Sequence, residues 1–398
     1  MDITIQPGKL SGAIQAIPSK SQAHRLLICA AFANNETTLI CPETNRDIEA
    51  TVDCLNALGA DILRTEKGYS IDPIPHIPRT AVLNCCESGS TLRFMLPIVG
   101  ALGVDATFQM AGRLPQRPLS PLWEEMERMG CTLTRPTADT IRCQGKLRSG
   151  EFVIDGGVSS QFITGLLFAA SLLDGDTRIR ILGKLESAPY VDMTRKAMAL
   201  FGIRTDDLFV KGNQFYHTPG VITVEGDWSN GAFFLAAQAL GNDVTISNLD
   251  PASPQGDRAA AVLLAQLKEN ITIDAADIPD LVPILSVAAA ANKGAVFSNI
   301  QRLRLKESDR VAAVIAMLEA LGGKAEATED ILTVYATGLR GGTVDTVNDH
   351  RIAMSAAIAA TVCNNPVTIR GAECVKKSYP RFWEEYRRLG GNYEQYLR

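Results

Sequence analysis

Leu58-Gly59-Ala60-Asp61-Ile62 ends a helix, turns on a glycine and opens a short strand, and the same arrangement returns along the chain. It recurs as Met129-Gly130-Cys131-Thr132-Leu133, Phe201-Gly202-Ile203, Leu321-Gly322-Gly323-Lys324-Ala325 and Leu389-Gly390-Gly391-Asn392-Tyr393. The glycines are separated by 71, 72, 120 and 68 residues. A fixed period means one supersecondary unit used repeatedly, and the long interval is two units with roughly 20 residues missing. The sequence therefore predicts six repeats, the fourth and fifth shortened around Gln266–Asp277.

A second series confirms the period. Arg25–Ile40, Arg93–Met110, Gln161–Ile181, Ala232–Leu249, Pro283–Ile300 and Arg351–Ile369 each read as an Ala/Leu-rich helix, a small-residue turn and a β-branched strand. Several of these helices open on polar groups: Ser19-Lys20-Ser21, Ser88-Gly89-Ser90, Ser159-Ser160-Gln161 and Asn348-Asp349-His350-Arg351. Each Ser or Asp suits an N-cap. The same ends, with unpaired N–H groups and the positive end of the dipole, also bind anions.

A chain of 398 residues exceeds what one core supports, so two domains are expected. Hydrophobic content of 46% with 21% charged residues describes a globular protein. The longest apolar run, Leu281–Ala291, is short for a bilayer span, and Met1-Asp2-Ile3-Thr4 does not open a signal peptide. The nine cysteines lack metal or redox spacing, which predicts free thiols in the cytoplasm. Four histidines without HExxH spacing predict no bound metal, and a net charge of −5 predicts no nucleic-acid or membrane partner.

The cations are concentrated locally. Lys20 and Arg25, Arg93, Arg113 and Arg117, the run Arg302-Leu303-Arg304-Leu305-Lys306-Glu307-Ser308-Asp309-Arg310, Arg351 and Lys376-Lys377 adjoin Gly, Pro, Ser or helix starts. Arg387-Arg388 and Glu384-Glu385, by contrast, fit the solvated face of a terminal helix. Arg forks bind carboxylate and phosphate bidentately, so the pattern suits a small substrate with several negative charges. Read as the start of a helix, Lys306 and Arg310 share a face at i,i+4 with Glu307 beside them, an arrangement that can prepare a carboxyl for proton transfer.

On Pro18-Ser19-Lys20-Ser21 with Arg25, Arg117-Pro118, Ser159-Ser160-Gln161, Val224-Glu225-Gly226-Asp227, Lys306-Glu307-Ser308-Asp309-Arg310, Asn348-Asp349-His350-Arg351 and Lys377-Ser378-Tyr379-Pro380, the chain resembles the enolpyruvyl transferases. Within them it is similar to the 5-enolpyruvylshikimate-3-phosphate synthase family. The resemblance covers essentially the whole chain and implies an α/β (α+β) fold, a two-domain inside-out barrel of six βαβαββ repeats, three per domain. Residues 19–225 would form one domain on the shikimate 3-phosphate side. Residues 1–18 with 226–398 would form the other, and the two would close on the substrates.

The implied reaction joins phosphoenolpyruvate to the 5-hydroxyl of shikimate 3-phosphate and expels phosphate through a tetrahedral ketal, in the shikimate pathway of aromatic amino acid biosynthesis. No cofactor is implied, and a monomer is expected. Carried over by resemblance, Ser159, Ser160, Ser187 and Lys306 would meet the shikimate phosphate, Ser21 and Arg25 its carboxylate, Gln161 and Asp280 its hydroxyls, and Tyr190 would wall the pocket. Arg310, Arg351 and Lys377 would hold the phosphoenolpyruvate carboxylate, and Lys20, Gly89, Arg93, Arg117 and Gln161 would surround its phosphate. Asp280 would take the hydroxyl proton, while Glu307, helped by Lys20, would protonate the methylene carbon. Asp280 also stands where it would cap the helix that follows.

The chain departs from the family pattern at Glu87, where Asn is usual, at Ser90 for Thr, at Phe94 for Pro and at Arg302 for Asn. Glu87 is expected to point away from the phosphate or to pair with an Arg. The sister family that acts on UDP-N-acetylglucosamine carries a reactive Cys before its Arg-Pro. Here Gly112-Arg113-Leu114-Pro115-Gln116-Arg117-Pro118 holds none, and Cys131 lies beyond in a predicted strand. A rival of another class, a repeat scaffold without catalysis, would use the motifs only as caps and salt bridges. Gly89 leaves room beside the phosphate, so glyphosate, which binds where phosphoenolpyruvate does, is expected to inhibit. An inhibition constant no better than millimolar in a steady-state assay would contradict this.

Overall fold

A computed structural model describes residues 1–396, so 397 and 398, the end of the expected second domain, lie outside it. Contacts divide the chain into two compact units, Pro18–Val224 and a unit made of Met1–Ile17 with everything from Glu225 onward. Each has its own apolar core.

In the Pro18–Val224 unit, three four-stranded sheets share one order. Glu151–Asp155 and Thr177–Leu182 run parallel, joined through the helix Ser160–Ser171. After the helix Ala188–Leu200, the hairpin Thr205–Asp206 with Phe209–Val210 adds antiparallel to the Thr177 strand. Thr80–Gly145 repeats the plan. The repeat holding the helices Lys20–Ala31 and Arg46–Ala57 borrows its first strand, Val221–Thr223, from the far end of the unit.

The other unit contains two complete repeats. One spans Ile271–Val334, and the other, Gly342–Tyr396, takes Asp2–Ile5 as a central strand. Among the described residues, its third repeat has only the parallel pair Ser11–Gln15 and Asp243–Ser247. After the helix Ala260–Gln266 the chain passes straight to the strand Ile271–Asp274. The missing residues are therefore one hairpin of one repeat, and the repeat that follows is intact, where the sequence placed the shortening across both.

The glycines of the first series earn their places at these hairpins. Gly59, Gly130, Gly202, Gly322 and Gly390 follow the second helix of their repeats with φ of +105°, +112°, +82°, +82° and +94°, conformations that favour glycine. The first helices are the second series, and they are buried nearly all round: Gly89–Leu102 exposes little beyond Ser90, and Ser160–Ser171 little beyond Gln161. A helix apolar on every face belongs inside a core, so these helices are central and the sheets lie outside them.

One crossing sets the site. Pro97 lies within Gly89–Leu102 and has no N–H for the carbonyl of Arg93, one turn earlier. Gly165 of the neighbouring helix sits against that carbonyl, where a Cβ would lie 2.2 Å from the oxygen. The carbonyl is that of Arg93, and one turn back from Gly165 stands Gln161, so the close approach brings Arg93 and Gln161 together. Gly165→Ala should destabilise the unit by about 1–3 kcal/mol through overpacking, and a thermal unfolding midpoint equal to the unaltered chain's would contradict this.

Candidate active site

In the Pro18–Val224 unit, the polar ends of the buried helices gather the motif residues. Ser19, Ser88 and Ser159 are N-caps whose side chains accept from the N–H of Gln22, Thr91 and Gln161. Lys20, the first helical residue, pairs with Asp47 at 2.8 Å. Arg93 donates from Nη1 to Gln161 Oε1 at 2.8 Å and from Nη2 to the Pro118 carbonyl at 3.1 Å. The Gln161 amide donates in turn to Ser90 Oγ at 2.9 Å. Gly89 is packed against both nearby guanidinium groups: a Cβ there would lie 2.5 Å from Arg117 Nη1 and 2.8 Å from Arg93 Nη1. Two arginines, a glycine and an amide thus converge at the start of one helix.

Arg25 is buried, and its bonds go to neutral groups. Nε donates to Thr194 Oγ1 at 2.9 Å, and the two terminal nitrogens donate to the carbonyls of Ser21 and Tyr190 at 2.5 and 3.0 Å. Burial lowers its pKa to about 10. A buried cation held by dipoles is prepared for an anion. Ser160 and Ser187 are also buried, and Ser187 adopts a left-handed conformation, with φ of 55°, ahead of the helix Ala188–Leu200.

Phe94 is not a lining residue. It lies in the core beneath Arg25, whose Cζ stands 5.2 Å from the ring centroid. Glu87 points at Gly112, where a Cβ would lie 2.5 Å from its Oε2.

In the other unit, Arg310 organises three carboxylates. Nη1 donates to Asp280 at 2.8 Å, Nη2 to Glu307 at 2.7 Å and Nε to Asp349 at 3.0 Å. Asp280 also meets Arg351 Nη2 at 2.8 Å and Lys306 Nζ at 3.8 Å. Burial opposes the charge on Asp280, but Arg351, Lys306 and Arg310 outweigh it and hold the carboxyl below its usual range. Lys377 donates to the Asn348 carbonyl at 2.9 Å.

The structure corrects two local readings. The helix after the Lys-Glu run begins at Arg310, behind the cap Asp309, and Lys306 is extended. Lys306 and Arg310 therefore do not share a helical face, and meet only because both reach Asp280. Asp280 does not cap its helix, since Leu281 occupies that position and no side chain bonds there. Nothing in the spacing along the chain pointed to Asp47, whose partner is 27 residues away. Nor did it mark Asp257, a buried carboxyl bonded to Ser229 whose pKa rises to about 7 through burial and the nearby charge of Asp280.

The description of EPSP synthase (3-phosphoshikimate 1-carboxyvinyltransferase) matches residues 5–386. The chain belongs to this family. A Clostridium kluyveri protein named 3-phosphoshikimate 1-carboxyvinyltransferase is 38% identical over 420 residues, covering 99% of this chain and 98% of that protein. Its Clostridium beijerinckii counterpart is 36% identical over 430 residues, covering 99% of both. A solved EPSP synthase from Acinetobacter baumannii superposes with a TM-score of 0.81 at 22% identity, covering 100% of both chains. That likeness carries the fold, six repeats in two domains. Among the described residues, no helix is long and apolar enough to cross a membrane.

The charges around Lys306 lead to a measurable consequence. Burial lowers its pKa to about 8, partly opposed by Asp280 and reinforced by Arg302 and Arg310. Amine labelling of Lys306 followed by mass spectrometry should show a midpoint near that value, and Arg302→Gln should move the midpoint upward. An unchanged or lower midpoint in the variant would contradict the electrostatic reading.

Proposed function

We propose that this chain transfers the enolpyruvyl group of phosphoenolpyruvate to the 5-hydroxyl of shikimate 3-phosphate, releasing phosphate, in aromatic amino acid biosynthesis. Family membership across the chain supports the activity. The observation that carries the chemistry is the Arg310 cluster, in which Asp280 and Glu307 are two carboxyls in different electrostatic settings.

Each site residue has a part in this reading. Arg310, Arg351 and Lys377 hold the phosphoenolpyruvate carboxylate, and Lys20, Gly89, Arg93, Arg117 and Gln161 take its phosphate. Ser159, Ser160, Ser187 and Lys306 hold the shikimate phosphate, Ser21 and Arg25 its carboxylate, Gln161 and Asp280 its hydroxyls, and Tyr190 flanks the ring. Arg310 and Arg351 are now bonded to Asp280. An incoming carboxylate competes for both, weakens their hold on Asp280 and raises its basicity.

Asp280 then accepts the 5-hydroxyl proton as that oxygen attacks C2 of phosphoenolpyruvate. Glu307, with Lys20, delivers a proton to C3, making it a methyl group. The tetrahedral adduct collapses as the C2–O bond to phosphate breaks and the methyl group returns a proton to Glu307. The proton on Asp280 leaves with the phosphate or to solvent. The protein is proposed to act in the cytoplasm, in keeping with the free cysteines of the described residues, and as a monomer.

Phosphate release should be followed with shikimate 3-phosphate and with UDP-N-acetylglucosamine as separate acceptors, in buffer containing a chelator. Release with the shikimate ester alone is expected, and Asp280→Asn should lower kcat by about 10²–10⁴-fold. Release with the nucleotide sugar, or with neither acceptor, would contradict the reading.

A further inference from the structure

The core of the Pro18–Val224 unit contains a chain of hydrogen bonds that the catalytic roles leave unexplained. His24 Nδ1 bonds Thr51 Oγ1 at 2.7 Å, Thr51 bonds Thr91 Oγ1 at 2.7 Å, and Thr91 donates to Ser88 Oγ at 2.7 Å. All four side chains are buried, at 1% exposure or less. They belong to three helices, Lys20–Ala31, Arg46–Ala57 and Gly89–Leu102 with its cap.

The direction of the chain follows from its far end. Thr91 has one hydroxyl proton, and Ser88 Oγ and the Asp47 carbonyl both accept from it. Thr51 must therefore donate to Thr91, and so must accept from His24. This fixes the Nδ1–H tautomer and leaves Nε2 a bare acceptor, for which no partner is found among the described residues. Burial, with the charges of Lys20 and Arg25, holds the His24 pKa well below its ordinary value, so the ring stays neutral.

The geometry shows what the chain controls. His24 is one turn beyond Lys20, and Thr51 is one turn beyond Asp47, so the His24–Thr51 bond lies directly below the Lys20–Asp47 pair. The other end reaches Ser88, the cap that fixes Gly89 against Arg93 and Arg117. Arg25 stands on a separate network of Thr164, Thr194 and the Tyr190 carbonyl, which shares no member with this chain.

We propose that His24 is a positioning residue for phosphoenolpyruvate: through Thr51, Thr91 and Ser88 it sets the spacing between the Lys20 ammonium and the helix start at Gly89. The inference rests on the assignment of Lys20, Gly89, Arg93 and Arg117 to the phosphoenolpyruvate phosphate.

The test is steady-state kinetics with each substrate varied in turn, alongside thermal unfolding, for His24→Leu, His24→Asn and Thr51→Val. In His24→Leu the KM for phosphoenolpyruvate should rise about tenfold, the size expected for disturbing one charge-assisted contact. The KM for shikimate 3-phosphate should stay within about twofold of the unaltered value. His24→Asn should recover most of the loss, because its side-chain amide N–H can replace Nδ1–H as the donor to Thr51 Oγ1. Should His24→Leu fail to fold, Thr51→Val interrupts the same chain at nearly constant volume and should give the same split. An equal rise in both KM values, a lowered unfolding midpoint with both KM values intact, or an Asn variant no better than Leu would each overturn the proposal. Failure of the underlying reading is distinguishable, since the unaltered protein would then release no phosphate.

Discussion

A helix buried on every side can satisfy its first N–H groups only at its own end. Each unit of this protein packs such helices at its centre, and that constraint decides where polarity can go. The caps Ser19, Ser88, Ser159, Asp227 and Asp349 are its direct result, each accepting from an N–H of the first turn. Because the dipoles point the same way as the caps, cations placed there need anions of their own. Lys20 finds Asp47, and Arg310 finds Asp280, Glu307 and Asp349. The site chemistry is thus confined to helix ends by the apolarity of everything else.

The two units meet this constraint differently. In Pro18–Val224 two arginines donate to neutral groups: Arg25 to hydroxyl and carbonyl oxygens, Arg93 to Gln161 and a carbonyl. In the other unit Arg310 is nearly inaccessible and carries three carboxylates, so cations and anions are intimately mixed. The first arrangement suits holding phosphates and carboxylates, and the second suits moving protons between carboxyls whose surroundings differ.

Much of the fold was legible because it is periodic. The glycine after each second helix reports a left-handed turn that other residues resist, and its absence after Ala260–Gln266 coincides with the absent hairpin. The limit of that hairpin was not legible, since a missing segment leaves no residues to read. Within the site, the motif order located the cations, but local geometry was misread at two places where stronger signals stood nearby. Ser308-Asp309 is a better helix start than Lys306, and the helix after Asp280 begins at Val282, with Leu281 in the cap position and Pro283 in its first turn. Asp47, Thr51 and Thr91 could not be read at all. Their importance lies in contacts between helices that no spacing along the chain encodes.

The decisive step of the proposed reaction is protonation of the phosphoenolpyruvate methylene carbon by a carboxyl of the Arg310 cluster. The most direct measurement is turnover of both substrates in deuterated water, with the methylene hydrogens of the product analysed by NMR. Addition makes a methyl group that rotates before elimination, so solvent deuterium should enter the product methylene, and Glu307→Gln should slow its entry together with turnover. Product formed at full rate with no deuterium in the methylene would mean that carbon is never protonated, and would contradict the account.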